Sequence, residues 1–194
     1  MAKSYKRTLL TVLFALVPLF AGCDSARDIS GVTEPVTPTV AAKPKLAKVL
    51  TRVINGTTGI AVSDYVTNGK TALLQVGKYQ LFVPRGAVKK PTKFVMVVLD
   101  NEMIGVRLYA FDKDWQRVTQ FHVPVRLTLP YDEADQTQVS GTGKLRIANV
   151  VSDTDNTILE LVGVEVDTDN QTVTGSLSHF SVWSLAKELS MGID

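Results

Sequence analysis

The sequence predicts an all-β fold, an antiparallel β-sandwich that follows a signal peptide and a flexible linker. Three observations carry that prediction. From about residue 48 onward, short runs rich in Val, Ile, Leu, Thr and Tyr recur with Gly, Asn and Asp between them, which is the signature of strands joined by turns. Within the runs apolar and polar residues alternate, most clearly where Val106, Leu108 and Ala110 oppose Arg107, Tyr109 and Phe111. The same holds for Val125, Leu127 and Leu129 against Arg126 and Thr128, so each strand has one face to bury. No segment shows a convincing amphipathic helix, and only 185–191 has weak helical character, so the apolar faces must pack sheet on sheet.

In chain order, the first element is an address rather than part of the fold. Residues 1–22 read as a signal peptide: Lys3, Lys6 and Arg7 precede an almost wholly apolar stretch, 8–21, in the order that defines a secretory signal. The stretch, roughly 14 residues, is shorter than the ~20 a membrane-spanning helix needs, and Pro18 interrupts it. It ends in Phe20-Ala21-Gly22-Cys23, which resembles the bacterial lipobox, with phenylalanine where leucine is usual. That resemblance implies cleavage before Cys23, diacylation of its sulfur and N-acylation afterwards. Acyl chains, at about 0.8 kcal/mol per buried methylene, hold a protein to a bilayer without a spanning helix. The competing reading is an ordinary secretory signal with a free cysteine nearby. Cys23 is the only cysteine, so no intramolecular disulfide forms and the exported domain is held together by its own core.

Residues 23–47 form the second element, a Pro/Thr-rich tether with Pro35, Pro38 and Pro44 and few large apolar side chains. Such a stretch cannot bury enough surface to offset its ordering entropy, and its prolines keep it extended. The alternative is that part of it lies along the domain as an edge strand, where proline is tolerated. Once Lys3, Lys6 and Arg7 leave with the signal, 18 Lys and Arg face 19 Asp and Glu. That near-neutral balance, with no basic run, points away from a nucleic-acid partner.

The third element, 48–194, is long enough to bury a core as one domain. Strands are expected near 48–54, 59–63, 71–76, 78–84, 93–99, 104–111, 123–129, 144–151, 157–166, 171–176 and 180–185. Asp167-Thr-Asp-Asn170, between Val164-Glu-Val166 and Thr172-Val-Thr174, marks a hairpin turn.

Within this domain Gly77-Lys-Tyr-Gln-Leu-Phe-Val-Pro-Arg-Gly-Ala87 resembles the signature of ZU5-like domains, in which a strand enters a Pro-x-Gly-Ala corner. Phe121-His-Val-Pro-Val-Arg-Leu-Thr-Leu129 is similar to a later strand of that family, and Ser178-His-Phe-Ser-Val-Trp183 to its closing strand. The resemblance spans roughly 70–185 and makes Pro84, Gly86 and Ala87 fold-signature residues. Their chemistry agrees: Pro84 stops ladder hydrogen bonding, and Gly86 admits a backbone conformation other residues resist. The family implies protein–protein contact, with no partner-binding residue that can be matched in this chain.

The sharpest chemical motif is His179-Phe180-Ser181. In autoproteolytic relatives of ZU5-like domains, His-Phe-Ser undergoes an acyl shift: the histidine takes the serine proton, the hydroxyl attacks the preceding carbonyl, and water resolves the ester. That chemistry needs a base within hydrogen-bond reach and a strained scissile peptide. The bland alternative has His179 and Ser181 on one side of the last strand while Phe180 and Val182 fill the core. His122 has no Cys or His partner at ligand spacing, which argues against zinc. Asp112, Asp114, Asp132, Glu133 and Asp135, like Asp153, Asp155, Asp167 and Asp169, read as solvated turn formers rather than calcium ligands. Trp183 is expected in the core and Trp115 at an exposed hairpin tip beside Lys113 and Arg117, and no Ser-His-Asp order, P-loop or nucleotide fingerprint is present.

These readings define an exported lipoprotein of a bacterial cell envelope, lipid-anchored through Cys23, with no cofactor beyond that lipid. The domain is expected to be a non-enzymatic interaction or structural module that meets an envelope protein. Its rival cuts its own backbone between Phe180 and Ser181. A third reading, a carbohydrate-binding sandwich, requires exposed aromatics such as Trp115, Tyr109 and Tyr131 to gather on one face.

Overall fold

The computed structural model describes residues 46–53, 58–140 and 143–189. The signal peptide, Cys23 and all of the tether before residue 46 lie outside the described residues. The strands are β1 Ala47–Val49, β2 Ala61–Val66, β3 Ala72–Val76, β4 Tyr79–Val83, β5 Thr92–Val98, β6 Gly105–Asp112, β7 Gln120–Pro130, β8 Gly143–Val150, β9 Ile158–Val162, β10 Val164–Asp167, β11 Thr172–His179 and β12 Val182–Leu189. One short helix, α1 Gln136–Val139, follows β7.

Two antiparallel sheets pack face to face, as the sequence predicts. The seven-stranded sheet runs β2-β5-β6-β12-β8-β9, with β1 also paired to β12. The five-stranded sheet runs β10-β11-β7-β4-β3. The alternation seen in the sequence sets which side chains enter the space between them: Val106, Leu108 and Ala110 from β6 meet Val125, Leu127 and Leu129 from β7, and all six are fully buried. Arg107, Tyr109 and Phe111 stand outward and are half-buried. Each large apolar side chain removed from water this way contributes on the order of 2 kcal/mol. Every residue of the main core, and of a smaller cluster of Val49, Leu99, Met103, Ala148, Val150, Val182 and Ala186, lies between positions 49 and 186.

Several expectations are corrected. The single strand expected at 157–166 is two strands in different sheets: β9 pairs with β8, β10 pairs with β11, and the chain crosses between the sheets at Gly163. The helical character expected over 185–191 is overruled as far as the described residues run. β12 continues to Leu189, pairing residue for residue with β8 on one side and with β6 and β1 on the other. Leu, Ala, Lys and Glu favour helix, yet pairing along both edges outweighs propensities of a few tenths of a kcal/mol each. The run expected at 48–54 forms only the short β1, followed by isolated bridges from Thr51 to Met103 and from Arg52 to Ala134. Ala47, assigned to the tether, opens β1.

Candidate functional site

His179, Phe180 and Ser181 do not sit within one strand. His179 ends β11 in the five-stranded sheet and Val182 begins β12 in the seven-stranded sheet, so the motif is the crossover between them. Phe180 turns into the core, its ring 5.6 Å from Phe94 and 4.5 Å from Phe121, both edge-on. The Ser181 carbonyl accepts from the Leu108 amide at 3.0 Å, which ties the crossover to β6. His179 makes its hydrogen bond to Glu160 on β9, Nε2 to Oε2 at 2.8 Å, and not to Ser181. Trp183, Asn149 and Glu160 lie in register across β12, β8 and β9, so the histidine reaches from one sheet to the edge of the other. The bland alternative is thus right about Phe180 and Val182, which are buried, and wrong in placing the motif on a strand.

Pro84, Gly86 and Ala87 form the corner that takes the chain from β4 to β5, from one sheet to the other. Ala87 donates its amide to the Pro84 carbonyl at 3.2 Å, and Gly86 donates to Asn68 at 2.9 Å. Gly86 has φ +83°, while a Cβ there would meet only Val123 at 3.6 Å and Asn68 at 3.9 Å. The backbone angle, not lack of space, is what asks for glycine. His122 donates its amide to the Ala87 carbonyl at 3.0 Å and lines a shallow pocket with Lys89, Lys90 and Asp112.

Of the acidic residues read as solvated turn formers, Asp112, Asp135 and Asp167 act in turns, whereas Glu133 is largely buried in an ion pair with Arg52, and Asp132 and Asp153 pair with Lys78 and Arg107. Asp167 accepts from the Asp169 and Asn170 amides at 3.0 and 2.9 Å, and Asp112 from the Asp114 and Gln116 amides, both at 2.9 Å. Asp135 caps α1 by accepting from Thr137 at 2.9 Å. Hydrogen bonds of this kind, foremost from Asn170 to Asp167 and from Thr137 to Asp135, hold both carboxyls below the ordinary aspartate range. No group of three or more metal-ligating side chains occurs among the described residues.

Two constellations go beyond the sequence reading, the second of them foreseen in part through Trp115 and Tyr109. The first is buried: the Arg52 Nε pairs with Glu133 Oε2 at 2.7 Å, Tyr79 donates its hydroxyl to the same oxygen at 2.7 Å, and Arg52 Nη2 donates to the Tyr79 hydroxyl at 2.7 Å. Arg52 also donates to the carbonyls of Asn101 at 3.1 Å and Leu99 at 3.4 Å. Burial first, and the bond to Glu133 second, push the Tyr79 phenol far above its ordinary value, so it stays a neutral donor. The cluster pins the chain after β1 to β4, to the turn after β7 and to the loop between β5 and β6, closing one end of the sandwich. No sequence signal would have found it, because its members are 27, 54 and 81 residues apart.

The second lies on the outer face of the seven-stranded sheet. Tyr65, Lys93 and Phe111 are in register across β2, β5 and β6, with Arg117 bridged to Phe111 beyond them. Lys93 Nζ lies 5.9 Å from the Tyr65 ring centre and 5.6 Å from that of Trp115, and Arg117 lies 5.6 Å over the Tyr109 ring. Tyr109 stacks beside Phe111 at 6.0 Å, and Trp115 packs on Phe111 at 6.0 Å. Tyr65 is 60% and Trp115 66% exposed, whereas Trp183 is fully buried, as expected. Trp115 and Tyr109 therefore do gather on one face, but Tyr131, at 8% exposure, belongs to the core instead.

The fold and these sites define an antiparallel β-sandwich of a seven-stranded and a five-stranded sheet. Comparison with known protein families, curated proteins and solved structures finds no match for the chain.

Proposed function

We propose that the chain is an exported bacterial lipoprotein, held at a membrane by lipid on Cys23, whose sandwich is a non-enzymatic interaction or structural module of the cell envelope. The observation that carries this reading is Phe20-Ala21-Gly22-Cys23 at the end of a short apolar run, with the only thiol of the chain at its last position. The architecture is consistent with it. β1 begins at Ala47, 24 positions after Cys23, and the described core begins at Val49. The short motifs at 77–87, 121–129 and 178–183 that resemble ZU5-like domains point the same way.

The test is metabolic labelling with palmitate and membrane fractionation in a bacterial host. Wild type should take up label and stay in the membrane pellet after high-salt washing, and Cys23→Ser should do neither. A Cys23→Ser protein that remains in the washed pellet, with no label on the wild type, sinks the proposal.

The rival, self-cleavage between Phe180 and Ser181, draws on one observation: Glu160 holds the ring of His179, next but one to Ser181, as a base is held in nucleophilic sites. The released piece would be residues 181–194, 14 residues that include the whole of β12. Since β12 is paired on both edges, it would stay bound under native conditions, and intact mass must be read after denaturation. The non-enzymatic reading expects the uncut mass for wild type and for Ser181→Ala alike.

A further inference from the structure

We infer that the outer face of β2, β5 and β6, with the Trp115 hairpin tip, is a binding surface for an acidic polysaccharide, a chain of sugar rings bearing carboxylates. Four observations lead there. First, Tyr65, Tyr109, Phe111 and Trp115 bring large rings to one side of a sheet, and the two most exposed, Tyr65 and Trp115, flank a single ammonium group, that of Lys93. The C–H faces of sugar rings pack on the electron-rich faces of aromatic rings, so a sheet of rings suits an extended glycan.

Second, the exposed carboxylates at this face are already taken, Asp153 by Arg107 and Asp114 by Lys113 at 3.4 Å. No acidic residue occupies an outward position of β2, β5 or β6. Arg107 is paired with Asp153, but Lys93 and Arg117 form no ion pair among the described residues. Two cations with no carboxylate of their own complement a ligand that brings carboxylates. Their rings hold them in place: an ammonium or guanidinium over an aromatic face loses little of its capacity to donate outward. Lys93 and Arg117 sit two strand spacings apart, about 10 Å, so they would meet successive charges along a chain laid across the strands.

Third, Trp115 has φ +59°. A bulky side chain resists this left-handed conformation, which Gly or Asn adopts readily, so a tryptophan there is kept against local preference. Fourth, the same turn contains Asp112 and Asp114, the latter 61% exposed at its side chain. Both carboxylates are engaged within the turn, Asp112 by the Asp114 and Gln116 amides and Asp114 by Lys113 at 3.4 Å, which leaves Lys93 and Arg117 as the charges open to an acidic ligand. The inference does not depend on Cys23 being lipidated.

The full chain is titrated with alginate, polygalacturonate and hyaluronate, with dextran as neutral control. Trp183 is fully buried, so a change in tryptophan emission reports Trp115. At least one of the three acidic chains should shift that emission, and added salt should weaken it. Dextran should not. In calorimetric titrations Lys93→Gln, Trp115→Asn and Tyr65→Ala should each weaken binding at least tenfold while a urea midpoint within about 0.5 M of wild type shows that they fold. Failure of all three acidic chains, equal binding of dextran, or variants that bind like wild type would overturn the assignment. So would sedimentation with phosphatidylglycerol vesicles in place of glycan binding, which would make the face a membrane-docking surface.

Discussion

Glu133→Gln removes one charge from the buried cluster at the end of the sandwich and nearly nothing else. Side-chain exposure is 4% for Arg52 and 14% for Glu133, so water cannot take over the role of the lost carboxylate. Removing one partner of a buried pair costs roughly 3–5 kcal/mol, because the other charge is left uncompensated. Arg52 keeps the Asn101 and Leu99 carbonyls at 3.1 and 3.4 Å, which places the expected loss at the lower end, about 3 kcal/mol. Against a domain stability on the order of 5–15 kcal/mol this is large. With a urea m-value of about 2 kcal/mol/M, the unfolding midpoint should fall by roughly 1.5 M. The double variant Arg52→Met/Glu133→Leu, which removes both charges at similar volume, should recover most of that loss. A Glu133→Gln midpoint within about 0.3 M of wild type would refute the reasoning. So would a double variant as unstable as the two single losses added together, since either would mean the pair is solvated.

Gly105→Ala places a Cβ 2.3 Å from the Trp183 carbonyl oxygen and 3.0 Å from the Ser184 Cα on the paired strand, so the backbones must separate. About 3 kcal/mol and on the order of 10 °C in Tm should be lost, and a drop below about 1 kcal/mol would show that the strands give way easily. Lys187 sends its buried ammonium to the carbonyls of Gln138 at 3.1 Å, Val139 at 3.2 Å and Ser140, capping α1. Lys187→Met should cost about 2 kcal/mol and speed amide exchange around α1; unchanged exchange there would count against the cap. Hydrogen bonds from Asn170 and Asp169 lower the Asp167 pKa, so its contribution is present above the unfolded aspartate value of 3.8 and is lost as pH falls through the lower folded value. The stability gap between wild type and Asp167→Asn should therefore hold between about pH 7 and pH 5 and narrow below 3.8. A gap that widens in acid would reverse that sign.

The fold was legible where a residue's fate is decided by its immediate neighbours. Val106, Leu108 and Ala110 are buried because strand geometry sends every second side chain the same way, and that period is visible in eight residues. Trp183 and Trp115 were separable for the same reason, one inside a strand and one in a polar turn. Illegible features depend on what lies alongside. Residues 185–189 resemble a helix until β8 on one side and β6 and β1 on the other are known to pair with them. Gly163 marks a crossover only because β9 and β10 join different sheets. That His179-Phe180-Ser181 spans a sheet-to-sheet corner is visible only once β11 and β12 are assigned to different sheets. Tyr65, Lys93 and Phe111 become neighbours through register alone.

The two sheets bury their inner faces by the same alternation, and each outer face sets a cation over an aromatic ring: Arg126 4.7 Å over Phe82 on the five-stranded sheet, and Lys93 beside Tyr65 and Trp115 on the seven-stranded one. On the five-stranded sheet Gln75, Gln80, Thr128 and Thr174 lie in register, with the two threonine hydroxyls 2.8 Å apart. Tyr65, Lys93 and Phe111 take the corresponding role on the other sheet. Threonine and tyrosine both suit strands, so strand stability does not choose between them. Trp115→Asn tests whether the fold or a ligand made the choice. The substitution relieves roughly 1–2 kcal/mol of left-handed strain and gives up contacts to Phe111 and Lys93 worth about 0.5–1.5 kcal/mol each, so these nearly cancel. Urea unfolding should place Trp115→Asn within about 1 kcal/mol of wild type, the behaviour of a residue retained at a cost the fold does not recover. A loss of about 2 kcal/mol or more would instead make Trp115 a packing residue. The aromatic face would then owe its composition to the sandwich itself.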